Sequence, residues 1–313
     1  MKKYILKRLG LSIGTLLLII LILFSLMQLM PGSPFNDEKL SPAQQERIRD
    51  HYGLNDPIPT QFVRYVGQMV RFDFGSSYNI SKDTPVSELL KTRLPVSLGL
   101  GGLAILIGSF FGLFLGLYAA LRHHRIGDTI ATFIAVLGVS IPSYVFALLL
   151  MYVFGHKLDW FPMLFNAKLG FISYVLPSVA LSVSAMATIA RFTRTEMIEV
   201  FQQDYMLLLE AKGISRTRLI LLHALRNASI PLVTVLGPLV VNLMTGSLVV
   251  EKIFSVPGIG QLMINAIQSN DYNIVLSLAF VYSAMYIGIM LIVDILYGIL
   301  DPRIRLTKEA KND

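Results

Sequence analysis

Apolar positions along this chain come in long runs separated by short polar breaks, and the run lengths fix the first expectation. Leu9 to Met30 is an uncharged stretch of 22 residues preceded by Lys2, Lys3, Lys7 and Arg8. That is long enough to span about 30 Å of hydrocarbon as a helix, and too long for a signal-peptide core of roughly 7–15 residues. Further runs predict spans near 96–121, 130–155, 171–190, 229–250 and 274–300. The expected fold is therefore an all-α membrane protein of six transmembrane helices. Three blocks follow: 1–30 with the first span, 31–95 as an extracytoplasmic segment, and 96–313 as the core transmembrane domain with an inner loop over 191–228.

Charge orients the spans. Inner segments would hold the four N-terminal cations, Arg122 and Arg125, six between Arg191 and Arg226, and Arg303, Arg305, Lys308 and Lys311. The two short outer loops hold only Lys157, Lys168 and Lys252. This asymmetry predicts both termini on the cytoplasmic side. It also accounts for the net charge of +7 without invoking nucleic acid. A 54% hydrophobic and 15% charged composition, with mean hydropathy +0.62, excludes an ordinary soluble domain. The absence of cysteine removes disulfides and thiol chemistry.

Shorter signals fill in the segments. Ser41-Pro42-Ala43-Gln44 reads as a helix start and Gly53 as its end. The run 60–71 would place Phe62, Val66, Met69 and Val70 on one face, and Thr84-Pro85 would open a short helix ending near Pro95. Gly108, Gly112 and Gly116 form consecutive GxxxG repeats, a candidate close-packing face. Pro142 and Pro177 invite kinks in the third and fourth spans. Asp294 is expected to reach the inner interface or pair with a cytoplasmic arginine rather than relay protons.

The long inner loop has its own design. Asp204 is a candidate N-cap, Gly213 a candidate C′ residue, and Ser215 a cap for a second short helix with Leu219, Leu222 and Leu225 at helical spacing. Two short helices bent at a glycine make a knob suited to a partner's cleft. On the outer side, Glu251, Phe254, Pro257, Gly258 and Gly260 lie in a segment too broken to span, followed by a candidate re-entrant helix over 262–267.

Gly213 followed by a basic amphipathic helix resembles the coupling loop of ABC importer permeases. Together with Ala190-Arg191, Arg194, Asp204-Tyr205, Ala211-Lys212-Gly213 and Arg226-Asn227, the likeness is to the oligopeptide/dipeptide/nickel branch. Met30–Pro34, Tyr52–Pro57, Asp73–Ser77 and Val293–Arg305 extend it along the chain. Leu207, Leu208 and Leu209 stand where the general pattern has an acidic residue and two alanines, and Leu225-Arg226 where it has Leu-Pro.

The resemblance implies a type I ABC importer permease in the plasma membrane of a bacterium. Its partners would be a second permease, two ATPases and an extracytoplasmic solute-binding protein delivering peptide. Asp204, Tyr205, Glu210, Ala211, Lys212, Gly213, Arg216 and Arg218 would couple to the ATPases, and the 251–260 segment would line an outer gate. No P-loop or HExxH sequence occurs, so ATP and magnesium are expected on the partner subunits, with no cofactor or metal held here and no enzymatic role. Nickel or another small solute is the alternative cargo. A self-powered secondary transporter is a further reading, although no repeated halves are visible, and an intramembrane enzyme lacks a catalytic cluster.

Overall fold

The computed structural model describes residues 2–29, 46–47, 50, 55–244 and 248–300. The predicted helix from Ser41 to Gly53, apart from residues 46–47 and 50, and the segments 30–34 and 301–313 lie outside the described residues. Among the described residues the secondary structure is helical, apart from one isolated bridge between Ser76 and Pro85. Among the described residues five helices are long and apolar enough to cross a membrane, and the number rises to six if one bent helix pair counts as a single span. The chain divides into two compact units, residues 1–97 with 257–287 and residues 98–256 with 288–313.

The first unit contains α1 (Lys2–Leu29), α2 (Ile58–Val70), the start of α3 (Val86–Leu121), α10 (Ile259–Gln268) and most of α11 (Tyr272–Leu300). Its core joins Ile20 and Phe24, Tyr65 and Met69, Val86 and Leu90, Ile259 and Leu262, and Ile274 and Leu278. Phe24 stacks on Tyr65 at 6.1 Å and meets Phe62 edge-on at 5.6 Å. Pro59 sits in the first turn of α2, where its missing N–H costs nothing.

The buried face of α2 carries Gln61, Tyr65 and Met69, whereas Val70 is 75% exposed. This rotates the expected face, because Gln61 is satisfied by donating to Asp56 O at 2.7 Å and can be buried. Burial pushes the Tyr65 phenol above its ordinary range.

A buried carboxylate organises the irregular backbone of this unit. Asp271 stands immediately before α11 and is fully buried. Its Oδ2 accepts from Ser77 Oγ at 2.6 Å and from the backbone N–H groups of Asn79 and Ile80 at 3.0 and 3.2 Å. Asn79 Nδ2 donates to Ser269 O, and Asn273 Nδ2 donates to Ser76 O. Gly75, at φ +68°, faces Asn273 so closely that a Cβ would lie 2.9 Å from its Nδ2. Ser97 of α3 accepts from Ile259 N at 2.9 Å, capping α10 at a place where Gly258 has no side chain to offer.

The second unit is arranged around α6 (Ile172–Phe201). It touches α4 (Ile126–Ser140), α5 (Ser143–Leu150, continuing in wider turns to Lys157) and α8 (Leu225–Met244). More of its apolar length is buried than in any other long apolar helix among the described residues, which makes it the core of this unit. Gly108, Gly112 and Gly116 of α3 lie against it. A Cβ at Gly112 would stand 2.7 Å from Met186 O, and one at Gly116 2.5 Å from Ala190 O.

Three expectations about helices change. The short helix expected before Pro95 and the second span are one helix, because Pro95 forfeits only a single donor inside 36 residues. The predicted third span is two helices instead of one kinked one: α4 and α5 meet at 99° around Ile141-Pro142, where Ile141 is extended, as a residue before proline prefers. The fourth helix runs beyond Ala190 to Phe201, carrying the polar Arg191–Val200 stretch as regular helix.

Two outcomes follow. Asp271→Ala strands three donors and should lower stability by on the order of 3 kcal/mol, against about 1 kcal/mol for Ser77→Ala, measured by thermal unfolding in detergent. Gly116→Ala should lower it by about 1–3 kcal/mol through overpacking. Gly102→Ala, with nothing within 4 Å, should leave it unchanged or slightly raised.

Candidate functional site

The arm between the predicted fourth and fifth spans begins where α6 ends. Gln203 occupies the N-cap position of α7 (Asp204–Ala211), so Asp204 is the first helical residue rather than the cap. There its carboxylate still favours the positive end of the helix. Gly213 at φ +76° reverses the chain, with nothing near the place a Cβ would occupy. Gly213 N donates to Glu210 O and Ile214 N to Leu209 O, which closes the helix end by the glycine motif expected of a left-handed residue.

Ser215 takes the N-cap position of the following helix without a side-chain hydrogen bond. That helix is not a separate short piece. Arg216–Arg218 leads through wider turns over Leu219–Ala224 directly into α8, since no breaker interrupts the apolar spacing.

A compact apolar cluster holds the arm in place. Met206 of α7 is buried with Met197 of α6, Ala120 of α3, Leu219 and Ala224 of the α8 lead-in, and Ala228 of α8; Leu209 and Ile214 pack against it. Asn227 Nδ2 donates to Tyr205 Oη at 2.7 Å, tying α7 to α8 by a polar contact. The remaining arm residues face outward: Glu210, Ala211, Lys212, Gly213, Arg216 and Arg218 are all exposed. Leu207 and Leu208 are 62% and 56% exposed, with Leu221 and Leu222 similarly uncovered. The arm thus presents leucines flanked by charges of both signs.

Sequence reasoning missed the clamp at the base of α6. Arg194 Nε and Nη2 donate to the two carboxylate oxygens of Asp128 at 2.5 and 2.7 Å. His123 Nδ1 and the backbone N–H of His124 lie 3.2 Å from Oδ2, and Thr132 Oγ1 donates to Oδ1 at 3.3 Å. Asp128 is almost fully buried. The His123-His124 turn is therefore more than a polar connection. A signal was present: an acidic residue in the first turn of an apolar helix, with a free-standing arginine elsewhere in the inner segments.

In the segment predicted to face outward, Glu251 of α9 (Leu248–Ile253) and Phe254 are buried within the second unit, where Phe254 O accepts from Phe165 N at 2.7 Å. Ser255 takes φ +53°, and Val256 N donates to Glu251 O. Pro257, Gly258 and Gly260 fall in the first unit, at the start of α10. Residues 262–267 lie inside α10. Asp294 lies within α11.

Known proteins match the whole length. The model of the binding-protein-dependent transport system inner membrane component covers residues 112–306, and its N-terminal counterpart covers 1–101. The dipeptide transport system permease DppB of Lactococcus lactis is 42% identical over 98% of this chain and 100% of its own length. The oligopeptide transport system permease OppB of Escherichia coli is 42% identical over 97% and 100%. Among solved structures, an inward-facing MetNI methionine ABC transporter chain aligns with TM-score 0.56 at 18% identity, covering 68% of this chain and 96% of that one. Its likeness concerns the fold. With matches at this identity running end to end, the chain belongs to the family of binding-protein-dependent transport system inner membrane components.

Proposed function

We propose that this chain is the permease subunit of an ATP-driven, binding-protein-dependent importer of dipeptides or oligopeptides. It would form the pathway with a second permease, receive cargo from an extracytoplasmic solute-binding protein, and be driven by two ATPase subunits that hold ATP and magnesium. The names of full-length relatives in Lactococcus lactis, Bacillus subtilis and Escherichia coli support the peptide cargo. The single observation that carries the mechanism is the exposed α7 arm fastened to the base of α6.

In this reading the chain catalyses nothing; it converts a displacement. An ATPase cleft grips Leu207, Leu208 and the charges at Glu210, Lys212, Arg216 and Arg218. Because Met206 is packed on Met197 and Tyr205 accepts from Asn227, α7 moves together with α6 and α8. The Asp128–Arg194 pair fastens α4 to α6, so the start of the bent third span follows the same motion. Both termini lie on the cytoplasmic side, as the cation asymmetry predicts. The 251–260 segment serves as the outer gate, and Gly108, Gly112 and Gly116 as the tight seam.

The arm is tested directly by Gly213→Val. A branched side chain at φ +76° costs about 1–2 kcal/mol and misaims the arm. Binding-protein-stimulated ATP hydrolysis in proteoliposomes should fall by about ten-fold for each 1.4 kcal/mol of coupling lost, while the chain still inserts. Hydrolysis and peptide uptake at the normal rate would remove the arm from the mechanism.

The clamp is tested by Arg194→Ala, which takes from the buried Asp128 carboxylate its two-pronged cation and leaves it only His123, the His124 N–H and Thr132. It should destabilise the complex by roughly 3–5 kcal/mol in thermal unfolding, and the Asp128→Asn, Arg194→Gln pair should recover part of that loss.

A further inference from the structure

The apolar face of α2 is wider than its packing requires. Successive residues of a helix stand about 100° apart, so Tyr65, Met69, Phe62, Val66, Val70 and Val63 follow one another round an arc of roughly 160°. A helix packed on one core needs an apolar stripe of about 100°. Gln61, Tyr65 and Met69, all buried, supply it with Phe62, which packs against the core of the first unit.

The other edge of the arc is uncovered. Val63 and Val70 stand two turns apart on it and are 70% and 75% exposed, and Phe72, in the turn that follows, is 71% exposed. The opposite side of the helix is polar, with Thr60, Arg64, Gln68 and Arg71. Arg64 pairs there with Asp56. The helix is thus apolar on two flanks, and its own unit covers only one.

The level at which α2 lies identifies what covers the second flank. Phe62 and Tyr65 meet Phe24 of α1, and Ile20 joins the same core. Phe24 is six residues before Met30, where the uncharged apolar run ends, about 9 Å along a helix axis. Leu21, Ile22 and Leu26, in the same turns of α1, are exposed, as a lipid-facing span requires. A flank beside these turns that protein leaves bare meets acyl chains, because no water is present at that level. A soluble partner would dock above the headgroups and not reach it.

We propose that α2 is an interfacial anchor for the first span: Val63, Val70 and Phe72 sit among the headgroup ends of the acyl chains, while Thr60 and Arg71 face headgroups and water. Its partner is the bilayer leaflet itself. The wide apolar arc then has two covers, protein on the Tyr65 edge and lipid on the Val63 edge. In the orientation proposed above the leaflet is the outer one; insertion itself does not rest on that reading.

The chain has no cysteine, so a single substitution carries a spin label at one place. Val63→Cys, Val70→Cys and, on the polar side, Thr60→Cys are labelled in the full-length chain. It is purified with its partner subunits made cysteine-free and reconstituted in nanodiscs of phosphatidylcholine and phosphatidylglycerol. Collision with oxygen, which concentrates in lipid, is compared with collision with a water-borne nickel chelate. The labels at 63 and 70 should favour oxygen and lie roughly 5–10 Å below the phosphates, whereas the label at 60 should favour nickel. All three positions are exposed, and an unchanged melting temperature confirms that each labelled chain is folded.

Nickel access at 63 and 70 equal to that at 60 places the flank in water and overturns the proposal. Labels shielded from both reagents overturn it as well, because a protein surface, a second permease or a binding protein, then covers the flank. None of these readouts involves ATP or peptide, so the outcome is independent of the transport function.

Discussion

A peptide N–H that faces hydrocarbon has no water to turn to, and a chain of this composition must therefore satisfy its backbone from within. Most of it does so by being helical. The informative places are those where it is not, because there a side chain has to replace the missing ladder. Asp271 does this for the turn at 79–80, supplying one oxygen to two backbone donors and to Ser77. Ser97 does it for the first turn of α10, reaching from α3 to a helix start that glycine leaves bare. A buried carboxylate is a costly device. It is tolerated because the alternative is several unsatisfied donors in the same low-dielectric space.

Helices in lipid gain little from hiding leucine, since acyl chains are equally apolar. What holds them is close approach and polar pairing, and the second unit uses each at a different point along α6. Against α3 the approach is made by glycines, so that main chain meets main chain near Met186 and Ala190. Against the start of α4 it is made by the two-pronged Asp128–Arg194 contact, whose planar fork fixes orientation as well as distance. A seam without the clamp could slide; a clamp without the seam would hold one point only. Together they make α6 a rigid base.

The features legible in the sequence were those that depend on neighbours along the chain. Run length marked the spans, glycine at the end of an apolar periodic stretch marked the reversal at Gly213, and proline marked the break at Ile141-Pro142 as a kink, though not its 99° angle. Proline alone could not say whether a helix ends. Pro95 passes inside α3 because the residues on both sides continue a favourable helix, whereas Pro142 follows an extended Ile141 and the helix stops. The apolar face of α2 was misplaced because Gln61 counts as polar until its partner, Asp56 O, is known.

What the chain pattern could not show were contacts across large separations. Asp128 and Arg194 are 66 residues apart, and Asp271 and Ser77 are 194 apart. Each residue looks ordinary in its own window, an acid near a helix start or a cation on the inner side, and only the pairing gives it a role. The same holds for the α7 arm. Sequence suggested a rigid knob of two short helices tethered between two spans, but Leu219–Ala224 leads without interruption into α8. The difference matters mechanically. A knob on two flexible tethers would dissipate a push from a partner. In the proposed coupling, an arm whose one limb abuts α6 through Met206 and whose other limb is the beginning of α8 would deliver that push to two membrane helices at once.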